Sequence, residues 1–161
     1  MAEVDITYLV PELRLRLFDL EEPYTYSDTT LSTGVLSAIK LLGRRWRNRY
    51  LVVSGYDVKR NPSIDTFVED EPPVIEPADE AVIILQASII IKTAHSYNSV
   101  WDVASWKDDE VSYSNIQSAK SRDLSIQRDY EELETLLKTR LYAGKYSPLP
   151  GYHKNTTETG I

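Results

Sequence analysis

His95 and His153 are the only imidazoles in the chain, and it has no cysteine. These counts exclude a disulfide framework, a thiol nucleophile, a zinc–thiolate centre and a His-rich metal site. A Ser–His–Asp set needs a placed imidazole. Here one histidine ends an apolar run, where a structural role is expected, and the other falls in the C-terminal tail. Asp108, Asp109 and Glu110 offer three adjacent carboxylates, but without the spaced oxygen ligands and glycine of a calcium loop. The sequence contains no GxxxxGK[ST], no GxGxxG after a strand, no HExxH and no GxSxG. A glycosidase-type carboxylate pair can come from distant positions, and no pair stands out. The expectation is a protein that is not an enzyme, with no catalytic residue, no cofactor and no metal.

The chemistry the chain does concentrate is charge. Residues 40–60 carry Lys40, Arg44, Arg45, Arg47, Arg49, Lys59 and Arg60 against one acid, Asp57. Residues 61–80 carry Asp65, Glu69, Asp70, Glu71, Glu76, Asp79 and Glu80 and no base. The two blocks can neutralise each other within the fold, or form unlike faces that meet on neighbouring copies. Alternatively the basic 44–49 segment contacts nucleic acid, with Trp46 and Tyr50 as stacking platforms. A net charge of -7 and a pI near 4.9 argue against the whole chain being an electrostatic nucleic-acid binder.

The elements that must position these groups read as mainly helical. Leu9, Leu13 and Leu17 fall four apart over about 5–18, with Pro11 suited to a first helical turn and Asp5 to a cap. Leu15 lies off that stripe. After a loop, Ser27 or Asp28 opens a second helix whose stripe is Leu31, Val35, Ala38, Ile39, Leu42 and Trp46. Trp46 reads as a core anchor. RYLVVSGYDVKR then reads as a short strand, with Ser54–Gly55 as the turn of a hairpin. Residues 61–77 hold Pro62, Pro72, Pro73 and Pro77 among acids and read as an extended connection.

A third helix is expected over 79–97. Asp79 and Glu80 suit its N-terminal dipole, and Ile84, Leu85 and Ile89 lie off the main stripe, so it is apolar on most sides and central. Residues 98–111 read as a polar connection. A last helix runs from about 114 to about 138, burying Ile116, Ala119, Ile126, Tyr130, Leu133, Leu136 and Leu137. The fold class expected is thus mainly α: a small bundle of about four helices with a short β-hairpin over 1–140. An extended C-terminal arm over 141–161 completes it, stopped from helix by Gly144, Pro148, Pro150 and Gly151. The longest apolar stretch, at 81–91, is too short to span a bilayer, and the N-terminus has no secretory pattern, so no membrane and an intracellular site of synthesis are expected.

The order of these segments resembles a known family. YLVPELRLRLFD is followed by YTYSDTTLSTGVLSAIKLLGRRWRNRYLV and a Pro-rich acidic link. PADEAVIILQASIIIKTA comes next, then SWKDDEVSYSNIQSAKSRDLSIQRDYEELETLL. Over about 5–138 this is similar to the head–tail connector, or adaptor, proteins of tailed bacteriophages. The most telling part is the apolar 79–97 helix paired with the DDEVSYS run at 108–114 that leads into the final helix.

The resemblance implies a structural virion protein at the head–tail neck, made in the host cytoplasm. It implies a ring, commonly of about twelve copies, beneath the portal. The ring extends the DNA channel and docks the tail or the next neck protein. Genomic DNA passes through the lumen without sequence-specific binding. In that setting Arg44, Arg45, Arg47 and Arg49 are expected to meet the portal or a neighbour. The extended 61–77 segment and the alternating run Val111–Ser114, with Val111 and Tyr113, are expected to lie across a neighbouring copy. Tyr142, Tyr146, Leu149 and Tyr152 of the arm are expected to dock on another chain.

Overall fold

A computed structural model gives the architecture. It describes residues 3–46, 48–63, 74–104 and 109–142, with backbone alone at 97–104, 109–120 and 140–142. The chain starts with a short strand, β1 (Glu3–Asp5), and a 3-10 turn over Ile6–Leu9. Asp5 caps that turn by accepting a hydrogen bond from the Thr7 N–H at 2.9 Å. The helix α1 (Val10–Leu17) follows directly, with Pro11 in its first turn, where a missing N–H leaves nothing unpaired. It stops at Phe18, whose φ of 57° is left-handed and whose N–H returns to the carbonyls of Arg14 and Leu15.

The next helix, α2 (Asp28–Gly43), begins where Ser27 accepts from the Thr30 N–H. All six positions of its expected stripe, Leu31 to Trp46, are buried. The hairpin pairs β2 (Tyr50–Ser54) with β3 (Asp57–Arg60) around Gly55, which takes φ +50° in the turn. Beyond the expected hairpin, β1 also pairs with β3, Val4 opposite Val58, giving an antiparallel sheet of order β1-β3-β2.

Two long helices complete the fold, α3 (Pro77–Ala104) and α4 (Asp109–Tyr142). The expected connection over 98–111 is therefore mostly helical: α3 runs on through Ala104, and α4 starts five residues before Ser114. At 1.5 Å per residue the pair measure about 42 and 51 Å, against about 24 Å for α2. The centrality of α3 holds: Val82, Ile83, Ile84, Leu85, Ala87, Ile89 and Ile91 are all buried, and it packs against α1, α2 and α4. On α4, Leu133 and Leu137 enter the core, whereas Tyr130 is 47% exposed and does not belong to the buried face. The side chains of Ile116 and Ala119, the link 64–73 and the arm 143–161 lie outside the described residues. No helix among the described residues is long and apolar enough to cross a membrane.

Candidate interaction surface

The basic block divides into an inner and an outer half. Asn48, in the left-handed region at φ 55°, turns the chain into β2 and sends Arg49 inward beneath the start of α3. There Arg49 donates to Asp79 at 2.6 Å and to Glu76 at 2.5 Å, with its side chain 2% exposed. Tyr50 donates its hydroxyl to the same Asp79 at 2.5 Å. Burial, reinforced by the charge of Asp79 and this hydrogen bond, raises the Tyr50 pKa far above the usual phenol value. Arg60, on the partner strand, donates from Nε to the Val74 carbonyl at 2.7 Å and stands 3.9 Å from Glu76. The neutralisation of one block by the other is thus internal here. It clamps the hairpin to the first turn of α3, where the helix dipole also favours an acid.

This geometry corrects the set of arginines expected at a partner. Arg49 is buried and paired, so it presents no charge to a neighbour, a portal or nucleic acid. Arg44 and Arg45 are exposed at the end of α2, beside exposed Lys40, and Arg45 pairs with Glu134 of α4 at 2.6 Å. Arg47 lies outside the described residues. Trp46 and Tyr50 pack edge to face, ring centroids 5.5 Å apart, and are 8% and 4% exposed. Neither offers a face on which a base could stack. Val111 and Tyr113 stand in the opening turns of α4, which begins ahead of the alternating run 111–114 and not after it as expected. Their side chains, that of Tyr142, and all of Tyr146, Leu149 and Tyr152 lie outside the described residues.

A second surface was hidden in the sequence. Between α1, α3 and α4 lies a groove of about 510 Å³, lined by Leu15, Phe18, Ala81, Ile84 and Leu136 together with Ser125 and the charged Glu12, Arg16, Lys92, Arg128, Asp129 and Glu132. Leu15 is 59% and Phe18 88% exposed. The left-handed backbone at Phe18, uncommon for a bulky residue, is what throws its ring outward. The one hint in the sequence is Leu15, apolar yet off the α1 stripe. Within this lining, Lys92 donates to Asp129 at 2.6 Å and Arg16 to Glu132 at 2.6 Å, tying α1, α3 and α4 together.

Immediately after the end of α1, Asp19 holds the loop that leads to α2. It accepts from the N–H groups of Thr25 and Tyr26 and pairs with Arg14. Burial alone would raise its pKa; those hydrogen bonds and the Arg14 charge outweigh burial and lower it below the usual carboxylate value. His95 packs edge-on against Tyr26 at 5.9 Å, a structural contact. Among the described residues no three His, Asp or Glu side chains stand close enough to hold a metal ion.

Comparison of the chain with family models, with curated proteins and with solved structures finds no match.

Proposed function

We propose that the chain is a head–tail connector of a tailed bacteriophage, a structural protein that forms a ring beneath the portal and carries the docking surface for the tail. The observation that carries this reading is the long α3–α4 hairpin rooted in a short bundle. Contacts from Asp79 to His95 on α3 and from Ser125 to Leu137 on α4 root it. The backbone of both helices continues past that root, through 97–104 and 109–120. A ring of identical copies needs unlike patches that meet head to tail. Such patches are on hand in the exposed basic end of α2, with Lys40 and Arg44, and in exposed acids such as Glu131 on α4. The net charge of -7 suits a channel lining, because fixed phosphate contacts would hinder DNA in passage.

Co-sedimentation of the purified chain with portal rings from the same genome tests the proposal. Co-migration that weakens in Lys40→Glu/Arg44→Glu supports it. Absence of co-migration, together with DNA binding that falls steeply with salt, favours a nucleic-acid module instead.

A further inference from the structure

We propose that the three-stranded sheet continues from copy to copy, the outer edge of β2 pairing with β1 of the next copy. The contact rests on the ring of the connector reading, to which it adds the seam between neighbours. In the order β1-β3-β2 the two outer strands each leave one edge unpaired, and the two edges are unlike. β1 is three residues long with Glu3 and Asp5 exposed, a short, charged edge that resists pairing with its own kind. β2 reads YLVVS, with no charge and no proline, and its Val53 is 41% exposed. Among the described residues no backbone group outside the sheet bonds to the backbone of Tyr50–Ser54. An edge left unguarded in this way is a pairing site.

Hydrogen-bond phase fixes which backbone groups face outward. Asn61 donates its N–H to the Arg49 carbonyl, one step beyond the pairing of Tyr50 with Arg60. Bonded positions alternate in an antiparallel pair, so Leu51 also faces β3, and the N–H and C=O of Tyr50 and Val52 point away from it. At the other edge Ile6 donates to the Tyr56 carbonyl, so Val4 faces β3, and the N–H and C=O of Glu3 and Asp5 point away.

These outward groups match. In a parallel pair one residue bonds to the two that flank its opposite number. Val52 set opposite Val4 of the next copy donates its N–H to that copy's Glu3 carbonyl and accepts from its Asp5 N–H. The register continues a row already present: Val4, Val58 and Val52 stand side by side across the sheet, Val58 buried and the other two packed on the core. Direction agrees as well. β1 and β2 both run antiparallel to β3, hence parallel to each other, and successive copies in a large ring turn only slightly. Charge favours β1 over a second β2. Exposed Lys40 and Arg44 stand at the end of α2 that leads into β2, and Glu3 and Asp5 bring acids to that side.

The cysteine-free chain makes the seam testable, both free at high concentration and captured on portal rings. Within one chain Glu3 and Leu51 both stand opposite Lys59, two strand spacings or about 9–10 Å apart, too far for a disulfide. Across the seam they are side by side. Oxidised Glu3→Cys/Leu51→Cys should therefore give a ladder of chain multiples, and neither single variant should. In the native chain the amides of Val52 and Asp5 should exchange at least about tenfold more slowly when assembled than when dilute. A dimer from Leu51→Cys alone, the sign of two β2 strands paired, overturns the proposal, as does absence of both ladder and amide protection in the two states. Capture by portal rings without ladder or protection overturns the seam and leaves the connector reading standing. Ladder and protection without capture support the seam and count against the connector reading.

Discussion

Arg44 and Arg49 lie five residues apart in one basic run, yet one meets water and the other is 2% exposed. Nothing in their residue type separates them; the left-handed turn at Asn48 does, together with Asp79 and Glu76 arriving from the far side of an acidic link. Removing one partner of a buried ion pair leaves an uncompensated charge, so Arg49→Ala should cost about 3–5 kcal/mol. Arg44→Ala should stay within about 0.5 kcal/mol. Urea midpoints of the two variants check this. Two groups give stability a pH dependence of opposite sign. The raised Tyr50 pKa means its contribution is whole below about pH 10, the ordinary phenol value, and is lost as pH rises above it. The lowered Asp19 pKa means its contribution is whole above about pH 4 and is lost as pH falls through the folded value. Thermal melts across pH should show Tyr50→Phe flattening the alkaline limb and Asp19→Asn the acid limb.

At the level of elements, α2 and the core of α3 were legible because a buried stripe and a cap are written in residue types. Ser27, the six apolar positions of α2 and the all-round apolarity of 82–91 needed no tertiary information. The extension of α3 to Ala104 and the early start of α4 were missed because their residues are polar. The usable cue was a different one: no Gly or Pro occurs between Pro77 and Gly144. The strand β1 is three residues long and exists through its pairing with β3, so it carries no periodicity to read. Three substitutions test these elements by chemical denaturation. Ser27→Ala, which removes the α2 cap, should cost about 1 kcal/mol. At Gly34 a Cβ would stand 2.9 Å from Ile91 Cδ1, so Gly34→Leu should push α2 from α3 and cost about 1–3 kcal/mol. Leu133→Ala, which hollows the contact of α4 with the core, should cost about 2–5 kcal/mol.

Considered whole, the molecule spends its charge on internal clamps: Arg49 to Asp79, Arg45 to Glu134, Lys92 to Asp129 and Arg16 to Glu132. The helical class was legible in the sequence, and so were the two last helices in part, without the extensions that make them a long hairpin. The groove was not, because it arises from a helix ending at Phe18 and a second helix laid alongside, a juxtaposition that spacing along the chain does not encode. What the described residues present outward is a small basic corner, a groove of mixed apolar and charged lining, and a helical hairpin longer than its bundle. The most direct measurement is the composition and image of tailed particles from the genome that encodes this chain. The connector account predicts a ring of copies between portal and tail, and tailless, DNA-filled heads when the gene is deleted. Particles whose necks lack the chain, or full infectivity without it, would contradict the account.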